Sequence, residues 1–331
     1  MAFIDSKPSL ETQWRGLVLF GKNTATYKFA FGKAILGLAK QGVSRVRLDD
    51  IAPIYADALI EHLRSGNRQG VSGSSTFLAA LAGHIEGKVS RDEALNVTKK
   101  EGFKYVIEAF QNLGGRIIPD SFYSYERREK TLYLTDNLFK LRESEQGFNV
   151  VNEIEARWNL VETAWNLSLP VSSVRVEAVE DNELLIITDG KGFRKPVTAT
   201  RDALSGYQKG KCFFSETAIN LNSANVDVDH FFPISKQEMH LPSNLNGVWN
   251  LVLAHSSLNR QKSAQAPAIR HLENLHKRNE YYITSKHPLG ATIEKQTGPN
   301  EAQRRDFLQG HFVASKQYSF SGWEPDYIFQ D

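Results

Sequence analysis

Residues 226–262 of this 331-residue chain carry the pattern that most restricts its fold. The run Val226–His230 reads Val-Asp-Val-Asp-His, and this alternation of apolar and acidic residues in a β-branched segment is typical of a half-buried strand. A second apolar run, Trp249–Leu253, follows after a long connection and is the expected partner strand. The two runs predict a pair of strands joined by a loop.

A helix is expected directly after the second strand. Ser256 and Ser257 are typical N-cap residues, because a serine hydroxyl accepts a hydrogen bond from the free amides of a first helical turn. The helix then carries Asn259 in its first turn and Lys262 three residues later on the same face. Strand, loop, strand and helix therefore follow one another in this stretch.

Three short motifs in the stretch resemble those of the HNH nuclease family. They are Asp229-His230-x-x-Pro233, Trp-Asn-Leu-Val-Leu around Asn250, and Asn259-x-x-Lys262. The resemblance implies a ββα-metal module. In that family the residues matching Asp229 and Asn259 bind one divalent ion, the histidine matching His230 activates water, and the residue matching Asn250 fixes the loop that orients the histidine.

The residue types suit phosphodiester hydrolysis, which needs a base for water and a cation for the charge that grows on phosphate and leaving oxygen. An imidazole such as His230 has an unperturbed pKa of roughly 6.5, so it is mostly neutral and still basic at cellular pH. Asp229 and Asn259 offer hard oxygen ligands, which suit Mg²⁺ or Mn²⁺.

Each motif alone is commonplace, since most histidines are structural or solvated and Asn-x-x-Lys recurs in ordinary helices. Their occurrence in order, each on the element that the chemistry requires, favours the nuclease interpretation. Asp227 has three interpretations: a carboxylate facing solvent, a carboxylate that supports the metal ligands, or a plain strand residue.

Many HNH relatives brace this module with two Cys-x-x-Cys pairs that hold a structural zinc. The corresponding segments here read Cys212-Phe-Phe-Ser and His255-Ser-Ser-Leu, which leave two ligands where a structural zinc takes four. We therefore expect no structural zinc. Aromatic packing is the expected substitute, and the candidates are Phe213, Phe214, Phe231, Phe232 and Trp249.

Composition sets broader limits. A hydrophobic fraction of 41% with 24% charged residues is ordinary for a globular protein, and the length suits about two domains. The single cysteine excludes an internal disulfide, and with no signal-type N-terminus or long apolar run it favours a cytoplasmic protein without membrane association. A net charge of +2 is weak, so attraction to nucleic acid must come from local clusters.

One basic cluster follows the motifs. Arg260, Lys262 and Arg270 are the candidate phosphate contacts, and the first two have the better claim because they adjoin a predicted metal ligand. Lys277 and Arg278 extend the cluster, with a solvated helix face as the equally weighted alternative.

The N-terminal half is helical in pattern. Helices are expected from the cap Asn23-Thr24, from Asp49-Asp50, over Thr76–Ile85, over Arg91–Leu113 and over Glu153–Leu167, with a hairpin of Ser121–Tyr125 and Thr131–Leu134. The expected class is α+β. A mainly helical region of recognition, partner or regulatory function spans residues 1–170, and a nuclease domain spans 171–331, with its core motif at 212–264 and further C-terminal helices.

The resulting expectation is a magnesium-dependent endonuclease that cuts DNA. One such site faces one strand, so nicking is expected unless the chain forms a homodimer, and restriction or phage defence is a fitting context. Two alternatives stay open. The module is an RNA-cleaving nuclease, or it is an effector that acts only when a protein partner or ligand engages the N-terminal region.

Overall fold

The computed structural model describes residues 8–19, 25–70, 75–113, 115–166, 175–179, 184–188, 194–234, 245–285, 288–316 and 322–326. The chain divides into two compact units. One spans residues 7–168, and the other consists of residues 1–6 and 169–331. Both combine helices with small sheets, so the predicted α+β class is confirmed. No helix among the described residues is both long and apolar enough to cross a membrane.

The unit of residues 7–168 is mainly helical. Its described helices are α1 (Leu10–Leu19), α2 (Tyr27–Lys40), α3 (Leu48–Arg64), α4 (Thr76–Ile85), α5 (Arg91–Val97), α6 (Val106–Phe110), α7 (Asp136–Glu143) and α8 (Asn149–Asn166). Buried aromatic and aliphatic side chains of α2, α3 and α8 form much of its core. The predicted cap Asn23-Thr24 lies outside the described residues.

Short strands complete this unit. They are β1 (Arg45–Arg47), β2 (Asn112–Leu113), β3 (Arg116–Ile117), β4 (Tyr123–Glu126) and β5 (Thr131–Leu134). The predicted hairpin is confirmed as β4 and β5, and β1 joins it to give an antiparallel sheet in the order β1-β5-β4. A three-residue strand has too few residues to show an alternation, which is why the sequence did not predict β1.

The prediction of a helix over Arg91–Leu113 is wrong. The segment divides into α5, a π-helical turn at Thr98–Gly102, α6 and strand β2. Gly102 ends the π-helical turn, and a Cβ there would lie 3.1–3.2 Å from the rings of Phe77 and Tyr55. The glycine lets the chain approach these rings, and the regular helix does not continue through it.

The second unit contains two sheets and five helices among its described residues. The strands are β6 (Arg175–Val179), β7 (Leu184–Thr188), β8 (Arg194–Ala199), β9 (Val226–His230) and β10 (Leu251–His255). The helices are α9 (Thr200–Tyr207), α10 (Ser256–Lys262), α11 (Ile269–Thr284), α12 (Pro288–Thr297) and α13 (Glu301–Lys316). Strands β6, β7 and β8 form one antiparallel sheet, and β9 pairs with β10 in another.

The strand, loop, strand and helix pattern of residues 226–262 is present, with two corrections. Strand β10 begins at Leu251 and not at Trp249, because Val248–Asn250 forms a 3₁₀ turn in which the Asn250 amide bonds the Gly247 carbonyl. Helix α10 begins at Ser256, so His255 takes the N-cap position, and the Ser256 hydroxyl donates to Asp227 instead.

Candidate active site

Strand β9 and helix α10 lie side by side, and their polar residues meet in register. Asp227 and Asp229 are two residues apart on β9, so they point to the same face. Ser256, Asn259 and Lys262 are spaced three apart on α10, which aligns them along one side of the helix. Ser256 and Asn259 contact Asp227, and Lys262 contacts Asp229.

Asp229 and Lys262 form a buried ion pair. The ammonium Nζ of Lys262 lies 3.2 Å from Oδ1 and 3.1 Å from Oδ2 of Asp229, and the side chains are only 1% and 10% exposed. Burial raises the pKa of Asp229 to about 6, and the attraction of Lys262 opposes that rise. Burial also lowers the pKa of Lys262, against the attraction of Asp229.

His230 ends strand β9 and is held by a loop residue. Its Nε2 lies 3.1 Å from the Oδ1 of Asn246, a pairing that suits an Nε2–H donor. Burial lowers the pKa of His230 to about 4, the hydrogen bond to Asn246 opposes this, and the charge of Lys262 adds to it. The imidazole is therefore neutral at neutral pH. Asn246 belongs to no periodic element or motif, so it could not be selected from sequence.

Asn250 is fully buried and ties two parts of the chain together. Its Oδ1 accepts from the Phe232 amide at 2.8 Å, and its Nδ2 donates to the carbonyls of Phe232 at 3.0 Å and Leu245 at 2.9 Å. The Phe231 amide also donates to the Asn250 carbonyl at 2.8 Å. The side chain joins the residues just after His230 to those just before Asn246, which is the geometry that a loop-fixing asparagine needs.

Asn259 contacts Asp227 directly. Its Nδ2 donates to Oδ2 of Asp227 at 3.1 Å, and the Ser256 hydroxyl donates to Oδ1 at 2.7 Å. Asp227 is half-buried and accepts hydrogen bonds from two residues of α10, and its support of the metal ligands stays a prediction. Through these bonds Asp227 orients the amide of Asn259.

The oxygen atoms of this cluster fit a hard divalent cation. Asp229 and Asn259 carry a carboxylate and an amide oxygen at the junction of β9 and α10, and magnesium prefers such donors. Within the described part of the chain, no group of three or more histidine, cysteine, aspartate or glutamate side chains is placed to hold a metal. The Lys262 ammonium lies beside the Asp229 carboxylate and pairs with it.

The predicted phosphate contacts differ in their surroundings. Arg260 is exposed, and its Nε donates to the Ser256 carbonyl at 3.2 Å. Arg270 is also exposed, and its guanidinium forms an ion pair with Glu324. Lys262 is buried and paired with Asp229, and its contact with phosphate stays a prediction. Arg278 is fully buried, so both interpretations of it as a surface residue are wrong.

Cys212 and His255, the two possible zinc ligands, take part in other contacts. Cys212 is buried, and its Sγ accepts from the His255 amide at 3.5 Å. The His255 Nε2 lies 2.9 Å from the Thr217 hydroxyl, which in turn lies 2.7 Å from that of Ser215. A hydrogen-bonded chain thus connects the two segments that a zinc would join. The absence of a structural zinc stays a prediction.

The expected aromatic packing is present. The centroids of neighbouring rings in this group are 4.9–6.1 Å apart, in the pairs Phe213–Phe214, Phe213–Phe231, Phe231–Phe232 and Phe232–Trp249. Such separations are those of favourable aromatic contacts. The rings connect the Cys212 segment, the end of β9 and the 3₁₀ turn that carries Asn250.

Comparison with protein families agrees with this geometry. Residues 212–268 match the model of a family described as HNH endonuclease. This span includes strands β9 and β10 and helix α10. A search of curated proteins found no match. The matched segment supports a nuclease module and therefore a nucleic-acid substrate.

Proposed function

We propose that this chain, whose residues 212–268 form an HNH-family nuclease module, is a magnesium-dependent endonuclease that hydrolyses phosphodiester bonds in DNA. The observation that carries the proposal is the neutral, loop-held imidazole of His230 next to the carboxylate of Asp229. A base and a cation-binding carboxylate on adjacent residues are the parts that metal-assisted hydrolysis requires.

His230 is the general base. Its Nε2 lies 3.1 Å from the Asn246 Oδ1, so Nδ1 is the nitrogen that we propose accepts the proton from water. Asn250 holds both ends of the intervening loop, so it fixes the position of the imidazole without touching the reacting atoms. Asn246 and Asn250 are therefore positioning residues.

Asp229 and Asn259 would hold Mg²⁺ or Mn²⁺, with Asp227 orienting the amide of Asn259. When bound, the ion supplies charge neutralisation at the phosphate and at the leaving oxygen. Arg260 is exposed one residue beyond Asn259 and is the proposed phosphate contact. Arg270 contributes only where phosphate displaces Glu324 from its guanidinium.

One site of this kind acts on one strand, so the proposed product from a supercoiled plasmid is the nicked circle. Restriction or phage defence is the proposed context, with the mainly helical unit engaging a partner. The test incubates the full chain with supercoiled plasmid, single-stranded DNA and structured RNA, each with Mg²⁺, with Mn²⁺ or with a chelator. Nicked plasmid with intact RNA, abolished by the chelator, is expected.

Other outcomes of the same test overturn parts of the proposal. If RNA is degraded while the plasmid stays intact, the substrate is RNA and not DNA. Cleavage that persists in the chelator excludes the metal-dependent mechanism. Linear plasmid formed without a nicked intermediate excludes a nickase. Cleavage that begins only when a partner protein is added makes the module a regulated effector.

A further inference from the structure

We propose that Arg278 is a positioning residue for the general base, acting through the turn that carries Asn250. This inference rests on the proposed function for its catalytic consequence. Arg278 lies on α11, outside the segment that matches the HNH family, and its side chain is 0% exposed. A charged side chain is rarely buried this completely unless its hydrogen bonds are satisfied, so its partners indicate its role.

The partners of Arg278 are almost entirely main-chain oxygens of one turn. Its guanidinium donates to the carbonyl of Trp249 at 3.0 Å, to that of Val248 at 3.3 Å, and to that of Leu251. These three carbonyls flank Asn250 on both sides. Within the described residues, no carboxylate pairs with Arg278, and the pKa of the guanidinium is lowered by burial to about 10.

Asn279 completes the arrangement. Its Oδ1 accepts from Nε of Arg278 at 3.2 Å and from Nη2 at 2.8 Å, and its Nδ2 donates to the Trp249 carbonyl at 3.1 Å. Arg278 and Asn279, which are adjacent on α11, therefore both donate to the carbonyl of Trp249 in this turn. The Tyr282 ring lies 5.5 Å from the guanidinium and supplies a cation–π contact from the next helical turn.

A series of contacts leads from Arg278 through the turn to His230. Arg278 fixes the carbonyls on either side of Asn250, and the Asn250 side chain fixes Phe232 and Leu245. Phe232 lies two residues after His230, and Leu245 directly precedes its partner Asn246. Three main-chain carbonyls pointing at one place would repel each other without a donor, and only the planar fork of arginine reaches all of them.

Within the module, the base and the proposed metal ligands are therefore positioned by different residues. Arg278 acts on the position of the base, whereas Asp229 is held by Lys262 of α10 and Asn259 by Asp227 of β9. Loosening the turn should therefore reduce kcat and leave both the KM for DNA and the dependence on Mg²⁺ concentration close to wild type. A residue that merely stabilised the fold would instead change the fraction of folded protein.

The test compares Arg278→Lys with the matched control Arg304→Lys in the full chain. Arg304 is also buried and also contacts α11, through two bonds to Glu280, yet it does not contact the Asn250 turn. Lysine retains the charge but cannot reach three carbonyls. We expect Arg278→Lys to lower kcat by about 10- to 100-fold, the range of a displaced catalytic group, and the control to stay within about threefold, as for an independent site.

Amide hydrogen exchange gives a second readout that needs no cleavage. The amides of Phe231 and Phe232 bond Asn250, so Arg278→Lys should speed their exchange by about tenfold or more while the other slow amides of this unit keep theirs. If Arg278→Lys does not fold, Asn279→Ala serves as the second variant, with the same expected local effect.

Unchanged kcat together with unchanged exchange at Phe231 and Phe232 would overturn the proposal. So would equal acceleration at all slow amides, which indicates global destabilisation. If the wild-type chain cleaves no substrate, the proposed function fails, and the exchange measurement alone then decides whether Arg278 fixes the turn.

Discussion

Lys262 and Asp229 carry opposite charges, and both side chains are almost completely buried. Breaking a buried ion pair by removing one partner is usually costly, because the remaining charge is left uncompensated. Here the remaining group is also the proposed metal ligand. The ammonium of Lys262 and a divalent cation therefore serve the same carboxylate, and we expect them to compete for it.

Replacing Lys262 with methionine tests this competition. We expect Lys262→Met to lose about 3 kcal/mol of unfolding free energy without metal, since Asp229 is left buried and unpaired. Added Mg²⁺ should raise the melting temperature of the variant more than that of wild type, because no ammonium competes. Thermal unfolding with and without Mg²⁺ measures both effects at mildly alkaline pH.

The exposed Lys277 provides the control, and Lys277→Met should respond to Mg²⁺ as wild type does. An equal response of Lys262→Met and wild type would contradict the idea that the lysine and the metal share Asp229.

The places of the predicted site residues on strands and a helix could be inferred from sequence, their contacts could not, and their catalytic roles stay predictions. Asp229, His230, Asn250 and Asn259 occupy fixed places relative to strands and a helix that the sequence pattern indicates. The ion pair of Lys262 was not predictable, since the sequence does not show that α10 packs along β9.

At the scale of the element, helix α11 shows what hydrophobic periodicity misses. Ile269, Leu272 and Leu275 follow one another at helical spacing, yet Ile269 is 54% exposed and the other two are buried. The buried face continues through Arg278 and Tyr282 at helical spacing. A charged residue at a buried position looks like a surface residue in sequence, because its partners are main-chain carbonyls that sequence cannot display.

Helices α3 and α8 of the first unit are joined by a buried histidine. The ring of His62 lies between Glu162, 2.8 Å from Nδ1, and Glu155, 2.9 Å from Nε2. It stacks on the ring of Trp158, with centroids 3.7 Å apart. Burial lowers the pKa of His62, but the two carboxylates outweigh burial and raise it to about 9.

This raised pKa predicts a pH-dependent stability. A histidine whose folded-state pKa exceeds its unfolded value contributes stability that is complete below about pH 6.5 and is lost as pH rises through about 9. The free-energy difference between wild type and His62→Gln should therefore shrink over that interval. Urea unfolding followed by tryptophan fluorescence measures it at a series of pH values.

His84→Gln is the matched control, since His84 is half-buried near the end of α4 and its Nδ1 lies 3.2 Å from the Val89 carbonyl. A difference between wild type and His62→Gln that stays constant from neutral pH to above pH 9 would contradict the charged state of His62.

At the scale of the whole molecule, sequence indicated a function for one unit and only secondary structure for the other. The nuclease module was readable because its chemistry needs particular residue types at particular places on successive elements. The mainly helical unit follows general rules of periodicity and capping, which indicate helices but no ligand. Its proposed roles in recognition or regulation, and the domain bounds at 1–170 and 171–331, stay predictions.

The central claim is that His230 activates water in a metal-dependent nuclease, and plasmid cleavage by His230→Ala tests it most directly. His255→Ala is the control, because His255 lies in the same module and bonds Thr217. With Mg²⁺ present and folding checked by circular dichroism, we expect His230→Ala to lose about 10²- to 10⁴-fold in rate and His255→Ala to cleave at nearly the wild-type rate. Full cleavage by a folded His230→Ala variant would contradict the mechanism.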